Sequence, residues 1–90
     1  MKAVITVTGR DTTGIIARVS TECAKSGVNI LDISQSVMQG EFFAMTMLVE
    51  LSGATLSFQE FVDRMSAIGA ELGMDVRAMH EDIFNSMHRI

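Results

Sequence analysis

The stretch TVTGRDTTGIIARVS, residues 6–20, sets the start of the fold. A β-branched run ends at Gly9, a charged pair and two threonines follow, and an amphipathic helical pattern begins after Gly14. A strand that turns directly into a helix is the first half of a βαβ unit. Glycines at such a turn let a ligand approach the backbone closely. The stretch therefore predicts either a small-molecule site or only a tight turn.

The elements that follow this turn can be assigned from periodicity. We predict strands where β-branched or alternating apolar residues run together, over residues 3–8, 28–38, 42–51 and 74–80. The first helix has apolar positions at helical spacing from Ile16, at Ile16, Val19, Cys23 and Ala24, with Ile15 beside them. Gly27 follows it, where a left-handed cap belongs. Residues 39–41 form a hairpin turn between the second and third strands.

A second helix is bounded by clear signals. The segment Ser57-Phe58-Gln59-Glu60 is a capping box, and Gly73 closes the helix. Its apolar face comprises Phe58, Phe61, Val62, Met65, Ile68, Gly69 and Leu72. A tail over residues 81–90 has helical spacing, with Ile83, Phe84, Met87 and Ile90 on one side.

The order β-α-β-β-α-β plus a tail predicts an α+β, ferredoxin-like fold. Right-handed crossovers place both helices on one face of a four-stranded antiparallel sheet. We expect a single domain over residues 1–90, because 90 residues without a proline offer no linker. The third strand is apolar on both faces, so we expect a second copy or the amphipathic tail to cover the face without helices.

Composition excludes several classes of function. A net charge of −4 argues against direct binding to nucleic acid, which needs a basic face. No apolar run is long enough to span a membrane. A single cysteine permits no internal disulfide, so we expect a cytoplasmic protein. No nucleophile or acid-base constellation is visible, which predicts a protein that is not an enzyme and has no cofactor.

Metal and thiol chemistry are weakly indicated. His80 and His88 are spaced by eight residues, which matches no metal-ligand pattern, and we predict no metal site. Cys23 lies on the apolar face of the first helix and is expected to be an inert core residue.

Three blocks in order carry a family resemblance: the turn over residues 9–17, the segment VNILDISQ over residues 28–35, and an Ile-Phe-x-x-Met tail. With the element order, they make the chain similar to the ACT domain family. It resembles the stand-alone ACT proteins, relatives of the ACT halves of the glycine cleavage system repressor and formyltetrahydrofolate deformylase. The resemblance implies a homodimer or larger assembly that binds an amino acid or similar metabolite at subunit edges. A regulated enzyme or regulator protein is the further partner that it implies.

The site is predicted at the opening turn and the start of the second strand. Amides and the helix dipole at Gly14 favour an anion such as a carboxylate, while Asp11 or Asn29 suits an ammonium group. The predicted ligand-binding residues are Gly9, Arg10, Asp11, Thr12, Thr13, Gly14, Ile15, Asn29, Ile30 and Leu31. The alternative is that these residues only form the turn and cap the helix.

Two functions remain open at this stage. The first is a regulatory module that binds a small metabolite as a homodimer. The second is an adapter without a ligand, which docks a partner protein through its apolar sheet face and tail.

Overall fold

The computed structural model describes residues 1–10, 14–38 and 41–87. These residues form four strands and three helices. In order they are β1 (Lys2–Arg10), α1 (Ile15–Lys25), β2 (Asn29–Met38), β3 (Phe42–Glu50), α2 (Phe58–Leu72), β4 (Asp75–His80) and α3 (Glu81–Met87). The predicted α+β, ferredoxin-like arrangement is confirmed, and each strand lies within two residues of its predicted bounds.

The strands form one antiparallel sheet in the order β2-β3-β1-β4. β1 lies at the centre, where Lys2 is opposite Glu50 of β3 and Arg10 is opposite Phe42. β2 pairs with the other side of β3, with a register shift between Ile30 and Asp32. β2 and β4 are therefore the two edges of the sheet.

Local sequence signals account for the ends of α2. The Ser57 hydroxyl accepts a hydrogen bond from the Glu60 amide at 3.1 Å, and the Glu60 carboxylate accepts one from the Ser57 amide at 2.9 Å. These reciprocal bonds form the predicted capping box and hold the pKa of Glu60 below its ordinary value. At the other end, the C-cap Gly73 has a left-handed φ of 69°, which glycine adopts more readily than residues with a side chain.

The core lies between the sheet and the helices α1 and α2. Side chains of β1 and β3 that face the helices are fully or almost fully buried, including Ile5, Val7, Met45 and Met47. The helices contribute the buried residues Ile15, Val19, Cys23, Phe61, Met65 and Ile68 to the same cluster. One continuous cluster places both helices on one face of the sheet, as predicted.

The buried face of α1 differs from its predicted face. Ile15 is buried, whereas the predicted core positions Ile16 and Ala24 are exposed. The helix begins one residue earlier than predicted, and its inner stripe runs through Val19 and Glu22. Glu22 is accommodated because its carboxylate accepts hydrogen bonds from Ser26 Oγ at 3.0 Å and from an Arg64 guanidinium nitrogen at 3.2 Å.

The tail helix α3 covers part of the face of the sheet that lacks α1 and α2. It packs against β1 and β4 of its own chain. On that face Val4 and Met79 lie opposite each other, and Val4 is buried although it is outside the main core cluster. The tail therefore lies over the β1–β4 half of this face, while the expected cover of β3, by the tail or by a second copy, stays a prediction.

The rest of this face is more polar than β3 alone suggests. Hydroxyl side chains of neighbouring strands lie side by side, because Thr6 of β1 and Ser34 of β2 are both opposite Thr46. Only Phe42 is a large apolar side chain exposed on the β3 part of this face. The apolar surface predicted here is thus interrupted by hydroxyl groups from its neighbours.

Candidate functional site

The predicted site is centred where β1 ends and α1 begins. Gly14 is the N-cap of α1, with φ 88° and ψ 2°, and has no side chain to accept hydrogen bonds from the first turn. The first intrahelical bond runs from the Arg18 amide to the Gly14 carbonyl at 2.9 Å. The amides of the first turn precede that bond and point out of the helix. No acidic side chain lies in the first turn of α1, so no residue of that turn neutralises the positive end of the helix dipole.

The two glycines of this turn have different surroundings. A Cβ at Gly9 would lie 3.2 Å from the side chain of Met74, so the absence of a side chain there admits Met74 into the core. Apart from the two chain neighbours of Gly14, a Cβ at Gly14 would meet no atom of the described residues within 4 Å. Packing against Met74 therefore explains the glycine at position 9, whereas among the described residues the space beside Gly14 is open to a ligand.

Asp11, Thr12 and Thr13 lie outside the described residues. Their predicted contacts with a ligand, and the alternative that they cap α1, stay predictions. Arg10 is exposed at the end of β1, and Ile15 is buried as the first residue of α1. Ile15 can therefore offer a ligand its backbone amide but not its side chain.

The expectation that Asn29 lies near this turn in the same chain is wrong. Asn29 is opposite Glu50, and Glu50 is opposite Lys2 at the start of β1, whereas Arg10 is opposite Phe42 at the other end. The reason is geometric: α1 returns the chain to the starting end of β1 before β2 begins. At about 3.3 Å per residue, the eight residue steps from Lys2 to Arg10 place the two ends of the sheet about 26 Å apart.

Ile30 and Leu31 share this distant position. Ile30 is half-buried and packs against the core, while Leu31 is exposed at the register shift of β2. Near them, the N-terminal ammonium of Met1 contacts a Glu50 carboxylate oxygen at 2.8 Å. That hydrogen bond holds the pKa of Glu50 below its ordinary value. One chain thus brings together Gly9, Arg10, Gly14 and Ile15, and separates them from Asn29, Ile30 and Leu31.

The ion pair between the buried Glu22 and the half-exposed Arg64 was not anticipated from the sequence. It joins α1 to α2, as does an exposed ion pair between Arg18 and Glu71. A signal was present, because Glu22 is three residues after Val19 and seven after Ile15, on the edge of the apolar stripe. A charged residue at such a position predicts a partner on the neighbouring helix.

The imidazole of His80 interacts with the first turn of α3. His80 Nδ1 accepts a hydrogen bond from the Asp82 amide at 3.0 Å and lies 3.6 Å from an Asp82 carboxylate oxygen. His88 lies outside the described residues. Across residues 1–10, 14–38 and 41–87, no three potential metal ligands come together. None of the helices in these ranges is long and apolar enough to cross a membrane.

We expect the Cys23 thiol to resist modification in the native protein. Its side chain is fully buried, and burial, with a smaller contribution from the charge of Glu22, raises its pKa to about 11. At pH 8 such a thiol is about 0.1% thiolate, compared with about a quarter for a thiol of pKa 8.5. Ellman's reagent at pH 8 should therefore react about 100-fold more slowly with native than with urea-unfolded protein.

A variant with an exposed thiol, Ser66→Cys, serves as the control for reagent and pH. The native variant should show one fast and one slow thiol. Equal rates for native and unfolded wild-type protein would contradict the buried position of Cys23.

The fold defines the class of protein first: a ferredoxin-like sandwich with a glycine N-cap facing open space at the end of its central strand. The ACT domain family matches residues 2–79. The chain is also 48% identical, over all 90 residues of both chains, to a UPF0237 protein of Clostridium acetobutylicum. It belongs to the ACT domain family.

Solved structures agree with this assignment. An ACT domain protein from Streptococcus pneumoniae is 39% identical with a TM-score of 0.79, and the match covers 98% of each chain. Two further structures share the fold at lower identity. A putative glycine cleavage system transcriptional repressor is 24% identical over 87% of this chain and 44% of its own, with a TM-score of 0.73. A formyltetrahydrofolate deformylase from Pseudomonas syringae is 23% identical over 88% and 27%, with a TM-score of 0.77.

ACT domains are generally regulatory modules that bind small molecules, and many of them form dimers. The predicted resemblance to this family, and to the ACT parts of the repressor and the deformylase, is confirmed.

Proposed function

We propose that this protein is a regulatory module that binds an amino acid or a similar small metabolite and acts as a homodimer. The observation that carries the proposal is the start of α1. Its N-cap is a glycine with open space beside it, and no acidic side chain occupies its first turn. An anionic group is the ligand that such a helix end favours.

The proposed contacts follow from the zwitterionic form of an amino acid. The carboxylate accepts hydrogen bonds from the amides of Thr13, Gly14 and Ile15, with Arg10 adding a positive charge nearby. Asp11 receives the ammonium group. These charges of both signs stand next to each other in the sequence, as a zwitterion requires.

The homodimer belongs to the proposal because one chain does not complete the predicted site. Asn29, Ile30 and Leu31 lie at the opposite end of the sheet from Gly14. They can reach a ligand at the turn only from a second copy of the chain. A regulated enzyme or regulator protein then responds to the ligand-bound form of the homodimer.

A panel of amino acids and related metabolites, scanned by thermal shift, tests the proposal. A ligand at one hundred times its dissociation constant stabilises the native state by about 2.7 kcal/mol. Calorimetric titration of the best hit then gives the affinity. If no compound in the panel stabilises the protein, the adapter function is supported instead, with the exposed Ile83 and Met87 of α3 as its docking residues.

We expect Asp11→Ala and Asn29→Ala each to weaken binding by about 1.5–3 kcal/mol, the value of a hydrogen bond to a charged group. Gly14→Val should abolish binding, because its side chain fills the open space that the ligand would enter. The readout is calorimetric titration, with sedimentation to verify that each variant keeps its assembly state.

The control for Gly14→Val is Gly73→Val. Gly73 has a similar positive φ of 69° and no atom within 4 Å of a Cβ, but it lies at the far end of α2. This variant bears the same backbone strain and should bind normally. If Asp11→Ala, Asn29→Ala and Gly14→Val all bind as well as wild type, the site is elsewhere and residues 9–14 form only a turn.

A further inference from the structure

The tail helix α3 is held to the sheet by few contacts. It has seven residues, and none of them is buried. Ile83 is 56% exposed and Met87 is 61% exposed. A helix of this length does not persist in water by itself, because forming the first turn fixes several residues for a single hydrogen bond. The position of α3 over β1 and β4 therefore depends on its packing and on how its first turn is capped.

The cap of α3 is a histidine. The helix follows β4 directly, so His80 is both the last residue of the strand and the residue before the helix. His80 Nδ1 accepts a hydrogen bond from the amide of Asp82, the second helical residue, at 3.0 Å. A serine or aspartate oxygen makes the same bond at an ordinary helix N-cap. The imidazole nitrogen can accept it only while that nitrogen carries no proton.

Protonation of His80 reverses the polarity of this contact. Both nitrogens of an imidazolium are donors, so the Asp82 amide then faces an N–H group instead of a lone pair. The new positive charge also lies at the positive end of the α3 dipole. The Nδ1–H group can turn to an Asp82 carboxylate oxygen, which lies 3.6 Å from Nδ1. That ion pair satisfies the ring but leaves the amides of the first turn without an acceptor.

The charged groups nearest His80 along the chain lie on α3. Glu81 and Asp82 form the acidic first turn of that helix. The residue directly opposite His80 on β1 is Ala3, which carries no charge. Two cations precede Ala3, and they are Lys2 and the Met1 ammonium, which is paired with Glu50.

The charged side chains of the other elements packed here have partners of their own. On β4, Arg77 is paired with Asp75. α2 packs against β4, and its charged residues bond as follows: Glu60 with Ser57, Asp63 with Gln59, Arg64 with Glu22 and Glu71 with Arg18. Among the described residues, the acid within ion-pair distance of His80 is Asp82. Protonation of His80 therefore acts first on α3.

We propose that His80 is a pH-dependent cap, whose protonation unwinds α3 from its first turn and uncovers the β1–β4 half of the sheet face. The residues beneath are apolar: Val4 is 4% exposed, and it lies opposite the half-buried Met79. Acidification thus exposes an apolar surface that the neutral protein covers. The inference does not rest on the proposed metabolite site, because Gly14 follows the end of β1 and His80 is paired with its start.

The pH interval follows from the chemistry of the cap. Histidine ordinarily changes charge between about pH 5 and 8, whereas Asp and Glu ordinarily stay ionised above about pH 5. At about pH 7.5 the neutral ring accepts the Asp82 amide, and at about pH 5.5 the protonated ring cannot. The helix is therefore capped at the higher pH and loses its cap as the pH falls.

Nuclear magnetic resonance of α3 tests the proposal. The helical fraction of residues 81–87 is measured from their Cα chemical shifts at about pH 7.5 and about pH 5.5. A His88→Gln background leaves His80 as the single histidine of the chain. We expect the ratio of helical to unwound α3 to fall about fivefold on acidification, the usual effect of losing an N-cap. The fall should follow the titration of the His80 ring signals.

His80→Asn in the same background is the matched control. Its amide oxygen is a good N-cap acceptor and does not titrate. This variant should keep the same helical fraction at both pH values. His80→Phe has no acceptor, so its α3 should be unwound to the same extent at both. An equal loss of helix on acidification in His80→Asn and in the parent would overturn the proposal.

Asp82→Asn separates the cap from the ion pair. It retains the backbone amide that His80 accepts and removes the carboxylate that competes for the protonated ring. The pH response should persist in this variant. If acidification instead increases the helical fraction of the parent, and Asp82→Asn abolishes that increase, the ion pair stabilises α3 and the proposal is wrong.

A soluble nitroxide measures whether the sheet face is uncovered. It broadens the methyl signals that it can reach, and its effect does not depend on ionisation of the protein. Broadening of the Val4 and Met79 methyl signals should rise at least twofold on acidification of the parent and stay constant in His80→Asn. Val7, fully buried on the other face, is the internal reference. Unchanged broadening at Val4 and Met79 while α3 unwinds would show that α3 does not cover them.

Discussion

Phe61→Ala should lower the free energy of unfolding by about 3–5 kcal/mol, the loss typical of a buried phenylalanine. Phe61 is fully buried in the middle of the inner face of α2, and it is among the largest side chains of the core. Its removal leaves a cavity between the helix and the sheet that neighbouring side chains fill only in part. Urea melts followed by circular dichroism measure the change.

Phe42→Ala is the matched control for the same chemical change. Phe42 is 43% exposed at the start of β3, whereas Phe61 is 0% exposed. The control should lose about 1 kcal/mol or less, as substitutions near the surface do. A loss below about 1 kcal/mol for Phe61→Ala would show that this face of α2 does not face the core.

Gly27→Ala should be the most damaging glycine substitution, with a loss of about 2–5 kcal/mol from backbone strain and overpacking together. Gly27 has φ 70°, and a Cβ there would lie 2.5 Å from the carbonyl oxygen of Gly53. That oxygen is backbone and cannot rotate away. The same approach of the two loops brings the Thr55 amide within 2.9 Å of the Ser26 carbonyl.

Gly73→Ala separates the two causes. Gly73 has φ 69°, almost the same as Gly27, and no atom lies within 4 Å of its Cβ position. It should lose only the strain, about 1–2 kcal/mol. The difference between the two variants in urea melts then gives the cost of the contact with Gly53. Equal losses in the free energy of unfolding would mean that the loops at Gly27 and Gly53 move apart at no measurable cost.

Most of the fold could be predicted from sequence because its signals are local. The capping box at Ser57, the positive φ of Gly27 and Gly73, and the alternation of β3 each depend on residues within a few positions. The face of α1 was harder, since Ile15 and Ile16 are both apolar. Packing decides between them, and Glu22 on the same inner stripe is paired with Arg64, a residue distant in sequence.

The candidate site could be predicted only in part. The turn at Gly14 is a local feature and lies where the sequence indicated. The position of Asn29 depends on the direction of each strand and on the order of strands in the sheet. From the sequence pattern alone, Asn29 was placed beside the turn at Gly14, although the two lie at opposite ends of the sheet. The packing of Gly9 against Met74 could not be predicted from local sequence either, because the two residues are distant in the chain.

The central position of β1 has a consequence for synthesis of the chain. β1 is synthesised before its neighbour β4. Ala3 can therefore pair with His80 only after most of the chain has been made. Such distant pairings slow folding, because a long loop must close before the contact forms. Until β4 leaves the ribosome, the nascent chain presents one edge of its central strand to other chains. We therefore expect a ribosome-bound chain stalled before β4 to be recognised by chaperones, and a released chain to escape them.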